Sequence, residues 1–166
     1  MKSIPSKPLV FFLAAGLAAS LALASSTTPH EHEHQRDMQN DSDIGVAGKS
    51  GKVSRTIEVV MNDTMRFAPD KLTVKAGETV RFVVKNAGQI KHEFNIGTPE
   101  SHKAHAEQML KHANMQHAEP NVASVLPGKS GEVIWQFTRP GTVIFACLQP
   151  GHLSAGMKGS IEVSAR

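Results

Sequence analysis

The chain has 166 residues, with 18 Lys and Arg against 15 Asp and Glu for a formal charge of +3, 5% aromatic residues and one cysteine. So small a basic excess, with no basic patch interleaved with aromatics, excludes a nucleic-acid-binding protein, and a lone cysteine excludes an internal disulfide. Small ions and other proteins are left as partners.

The first element in chain order is an export signal. Lys2 and Lys7 precede an uncharged run from Leu9 to Leu23 that closes on Ala22-Leu23-Ala24. That run is shorter than the ~20 apolar residues of a membrane span, and small-x-small is the pattern a signal peptidase cuts. Residues 1–24 are therefore expected to be a signal peptide that delivers the protein to the periplasm and leaves no stable membrane insertion. Its removal takes two lysines, so 16 basic residues face 15 acidic ones and the charge becomes +1. Residues 25–52 follow, polar and nearly free of large apolar side chains, and are expected to be a disordered tail. Within it His30, His32 and His34 alternate with Glu31 and Glu33, a short tract able to bind metal through imidazole.

From Val53 the pattern changes to short β-branched runs punctuated by Gly, Pro and Asn. Strands are expected at 55–62, 71–74, 79–86, 92–96, 132–137, 142–147 and 159–164. In 79–86 the residues Val80, Phe82 and Val84 face one way and Thr79, Arg81, Val83 and Lys85 the other, as in a half-buried strand. Residues 53–166 thus read as one all-β domain, an antiparallel sandwich with a single core.

One segment, 98–117, breaks the β pattern and reads as an inserted helix. Thr98 suits the N-cap, Pro99 the first helical position, and Glu100 the positive end of the helix dipole. At ~100° per residue, His102, His105, Met109 and His112 fall on one stripe about 80° wide, a candidate accessory metal site. Ala106, Leu110 and Ala113 lie beside the stripe and are expected to dock the helix on the sandwich.

The chemistry concentrates in the stretch from Cys147 through Pro150-Gly151-His152 to Gly156-Met157, where a thiolate, an imidazole and a thioether recur with four residues between neighbours. An exported lone thiol pairs between chains, lies buried and inert, or binds a metal. Soft sulfur suits Cu(I) and imidazole suits both copper oxidation states, so Cys147, His152 and a weak axial Met157, completed by His92 from an earlier strand, describe an electron-transfer copper site.

These segments resemble the cupredoxins, the type 1 copper family of plastocyanin and azurin, over essentially all of 53–166. Phe67-Ala68-Pro69 with Leu72 to Phe82 is similar to the family's second and third strands, Lys91-His92-Glu93-Phe94 to its first-ligand segment, and Gly141 to Gly159 to its ligand loop. The resemblance implies a Greek-key β-sandwich with copper, as Cu(I) and Cu(II), at one end. The ligand spacing is like that of auracyanin and rusticyanin. The helix and histidine tail are more like the periplasmic cupredoxins of bacterial copper tolerance. Glu93 departs from the family pattern, standing where many members carry an Asn that braces the ligand loop.

Enzymatic readings fail on the residues. A multicopper oxidase flanks its type 1 cysteine with histidines, but Cys147 lies between Ala146 and Leu148; a dinuclear site needs a second cysteine; and no hydrolase nucleophile motif is present. Oxidation of Cu(I) is the one catalytic activity left open. Two functions follow: handling of excess copper for tolerance, which accounts for the extra histidines, and diffusible electron transfer with a redox partner protein.

Overall fold

The computed structural model describes residues 44–111 and 119–166. The tail histidines His30, His32 and His34, His112 of the expected helix and the expected signal segment 1–24 lie outside the described residues. Ten strands and one α-helix are present among those described: β1 Val46–Ala47, β2 Arg55–Asn62, β3 Arg66–Ala68, β4 Lys71–Lys75, β5 Thr79–Asn86, β6 His92–Gly97, α1 Pro99–Lys111, β7 Val122–Val125, β8 Ser130–Gln136, β9 Gly141–Ala146 and β10 Lys158–Ser164. They form two five-stranded sheets, ordered β1-β8-β5-β2-β3 and β4-β10-β9-β6-β7.

The expected all-β sandwich with one inserted helix is the observed fold. All seven expected strands are present, with ends moved by up to two residues. Two features differ. The sheets are mixed, because β2 pairs with β5 and β4 with β10 in parallel. The chain crosses from one sheet to the other between β3 and β4, and again between β4 and β5, so each of these pairs is closed without a hairpin. The second difference is at the N-terminal edge. β1 pairs with β8, setting Val46 opposite Gln136, and a short 3-10 turn follows at Ser50–Lys52. The first strand of the sandwich therefore lies inside the segment whose composition reads as tail.

Alternation builds the core. In β5, Val80, Phe82 and Val84 are fully buried, as the period-2 pattern requires. Phe94 on β6 and Phe145 on β9 stack at 5.0 Å between ring centroids, and Phe67 meets Phe145 edge-on at 5.0 Å. Aromatic pairs of this kind add about 1 kcal/mol each beyond their burial.

Strand β6 is buried on both faces along its whole length. Phe94 and Ile96 point into the core. On the other face Glu93 and Asn95 are covered by α1, whose first turn is closed by a reciprocal cap: Ser101 N–H donates to Thr98 Oγ1 at 3.1 Å, and Thr98 N–H to Ser101 Oγ at 3.0 Å. The expected docking face of this helix is wrong. Leu110 is 73% exposed, whereas His102 and Met109 are buried. His102 Nε2 lies 3.2 Å from the Asn95 carbonyl and His105 Nε2 lies 3.8 Å from Glu93 Oε1. The polar residues of β6 select a polar helix face, so His102, His105 and Met109 pack inward.

Candidate metal centre

Strand parity places the first two candidate ligands. His92 shares the inward face of β6 with Phe94 and Ile96, and Cys147 extends the inward series Val143 and Phe145 of β9. Register brings the two together: Asn95 sits opposite Ala146. Cys147 then falls beside the start of β6, where the Glu93 amide donates to Cys147 Sγ at 3.3 Å.

The third comes from the loop joining β9 to β10. Its base is closed by Cys147 N–H donating to the Met157 carbonyl at 3.0 Å, and its middle is folded back by Met157 N–H donating to the His152 carbonyl at 3.0 Å. His152 Nδ1 is thereby held 3.2 Å from Cys147 Sγ, and His92 Nδ1 lies 3.9 Å from the same sulfur. The donor atoms of His92, Cys147 and His152 all lie within 4.8 Å of one another, close enough to hold one metal ion. Met157 is fully buried in the core cluster that also contains Cys147. Of the remaining candidates, His102, His105 and Met109 belong to the interface between α1 and β6 and form no second group of three ligating His, Cys, Asp or Glu side chains among the described residues.

The electrostatics suit a metal. Burial pushes the Cys147 thiol up to about 12, so without metal it stays protonated and metal binding displaces one proton. Burial, then the neighbouring His92, lower the pKa of His152, which keeps its ring neutral and a lone pair available. The His92 and His152 rings lie tilted against each other with centroids 5.0 Å apart. His92 is fully buried while His152 is half-exposed, so the site meets solvent at the His152 edge.

Two residues that support the site carry no signal in the sequence. Asp63 Oδ1 lies 3.0 Å from His92 Nε2, 29 positions away. Asn86, fully buried, donates from Nδ2 to the Ile90 carbonyl at 2.8 Å and the Val125 carbonyl at 2.9 Å, and accepts from the Gly88 amide at 2.8 Å. It pins both segments flanking His92.

One buried thiol with two imidazoles suits a copper site, and the two-sheet sandwich that holds them defines the class: a cupredoxin. Residues 52–164 match the family of copper binding proteins described as the plastocyanin/azurin family. The chain belongs to that family, and its metal is copper. A relative from Rubrivivax gelatinosus named "Copper-resistant cuproprotein CopI" is 47% identical over 98% of this chain and 99% of its own. A second of that name, from Pseudomonas aeruginosa, is 39% identical over 72% of this chain and 81% of its own. Among solved structures, auracyanin B superposes with a TM-score of 0.60 at 26% identity, covering 75% of this chain and 96% of that one. No helix among the described residues is long and apolar enough to cross a membrane.

Proposed function

We propose that this is a periplasmic copper-tolerance protein whose copper is held by His92 Nδ1, Cys147 Sγ and His152 Nδ1, with Met157 as a weak axial donor. The observation that carries the reading is the relative named for copper resistance, whose match runs over 98% of the chain and so takes in the histidine tail and α1 as well as the sandwich.

When bound, copper supplies a one-electron couple between Cu(I) and Cu(II). The chain does the rest. Cys147 gives up its proton and is steadied by the Glu93 amide. His92 and His152 offer ring nitrogens from two separate elements, so the cavity is shaped before metal arrives and changes little between oxidation states. The signal peptide at 1–24 accounts for export. His105 of α1 and His112, with His30, His32 and His34 in the tail, supply accessory copper ligands, while His102 and Met109 are committed to packing.

A second reading, diffusible electron transfer, is favoured by one feature. A groove of about 300 Å³ runs beside the half-exposed His152, lined by Ala106 and Leu110 of α1 and by Leu148, Pro150 and Leu153 of the ligand loop. Such an apolar surface at a redox site can receive a partner protein.

Copper stoichiometry of the mature protein separates the two. Tolerance predicts more than one copper per chain. Deleting 30–34 together with His105→Gln and His112→Gln then lowers the stoichiometry to one and reduces growth on copper, with the visible spectrum unchanged. A wild-type stoichiometry of one, with normal growth of the variant, contradicts tolerance and leaves electron transfer.

A further inference from the structure

The turn between β2 and β3 touches both segments that carry the candidate ligands. It is a tightly built turn. Asn62 Oδ1 accepts the Thr64 amide at 3.1 Å, Met65 N–H donates to the Asn62 carbonyl at 3.1 Å, and Met65 takes a left-handed φ of 58°. A left-handed conformation is strained for a non-glycine residue. Here it sends Asp63 and Arg66 off the two ends of the turn in different directions.

Asp63 reaches the segment before β6. Its Oδ1 is 3.0 Å from His92 Nε2, and its Oδ2 accepts the Gln89 amide at 2.7 Å. A side chain at Gly88 would overlap the Asp63 carboxylate, so glycine is what allows the loop to come this close. A carboxylate can only accept, so His92 carries its proton on Nε2 and presents the Nδ1 lone pair toward Cys147 and His152. At the other end, Arg66 Nη1 donates to the Met65 carbonyl at 2.7 Å and to the Ala155 carbonyl at 3.0 Å. Ala155 lies between His152 and Met157, so a single guanidinium ties the turn to the middle of the ligand loop.

We propose that the β2–β3 turn is the brace of the copper centre, with Asp63 and Arg66 as positioning residues: Asp63 fixes the tautomer and orientation of the His92 ring, and Arg66 holds the loop between His152 and Met157. A carboxylate behind a ligating imidazole also raises the basicity of the ring, which favours Cu(II) over Cu(I). The brace rests on His92 being a copper ligand, and the two ideas fail differently. If His92 is no ligand, wild-type protein itself shows no imidazole of His92 on the metal. If the brace is wrong, only the variants tell.

The test uses mature wild type, Asp63→Ala, Asp63→Asn and Arg66→Ala. Nitrogen NMR of the metal-free proteins reads the His92 ring, which carries its proton on Nε2 in wild type and loses that single tautomer in Asp63→Ala. Competition titration reads Cu(II) affinity, which falls about 10- to 100-fold in Asp63→Ala. It falls less in Asp63→Asn, which keeps one acceptor oxygen, and by a smaller factor again in Arg66→Ala. The reduction potential of Asp63→Ala rises. Asp63 is 38% exposed, so its loss leaves no cavity and the variants fold. An Asp63→Ala protein with wild-type His92 tautomer and Cu(II) affinity overturns the proposal, even if it is less stable. Arg66→Ala with unchanged affinity and spectrum overturns the two-ended brace.

Discussion

Cys147→Ser removes the visible thiolate-to-copper absorption completely and lowers copper affinity by orders of magnitude. The chain has one cysteine, so no other thiolate can replace it. In the metal-free protein the thiol is held at about 12 by burial, and copper binding must take its proton. Above neutral pH that single proton makes the apparent affinity rise about tenfold per pH unit. A serine hydroxyl does not ionise in this range and is a poor ligand for Cu(I). Its oxygen can still accept the Glu93 amide, so the metal-free variant unfolds within about 1 kcal/mol of wild type. Absorption and circular dichroism of the two proteins check this. Survival of the band in Cys147→Ser would place the sulfur ligand elsewhere.

The second large effect is acid lability centred on α1. His102 is buried and its pKa is lowered from 6.5 to about 4, because burial disfavours the charged ring and the hydrogen bond to the Asn95 carbonyl only partly compensates. The ring packs against Gly97, where even a Cβ would come within 2.6 Å of Nε2. At pH 7 the ring is neutral in both folded and unfolded chains. Between 6.5 and about 4 the unfolded chain takes up a proton that the folded protein does not, so stability falls as pH falls. The loss is about 1.4 kcal/mol per pH unit, or about 3 kcal/mol in all. His102→Gln keeps an amide donor for the Asn95 carbonyl and lacks the titrating ring. Urea unfolding of metal-free protein at pH 7 and pH 4.5 is expected to show a loss of stability smaller in the variant by about 2 kcal/mol. Equal slopes in the two proteins would contradict it.

The features legible in the sequence are those with a local pattern. Strands β2, β5 and β10 show enough residues to display alternation, and the candidate ligands Cys147, His152 and Met157 stand close together in one loop. β1, β3 and β7 have two to four residues and no period to read. The helix is a different failure. Its apolar side, with Leu110, looks like a docking face, yet the surface it meets is the polar side of β6, where Glu93 and Asn95 are matched by His105 and His102. Amphipathicity reports which face is apolar, and here the partner is not. Asp63 and Arg66 were unreadable because their contacts are 29 and 89 positions away and depend on two sheets coming together. In isolation Asn62-Asp63-Thr64 is an ordinary turn.

The central claim is that one thiolate and two imidazoles from this sandwich share a copper ion. Copper K-edge X-ray absorption of mature protein loaded with one equivalent of Cu(II) tests it most directly. The account predicts a shell of one short sulfur and two imidazole nitrogens, with any further sulfur longer and weaker. A shell of nitrogen and oxygen alone, as copper in the histidine tail would give, contradicts it.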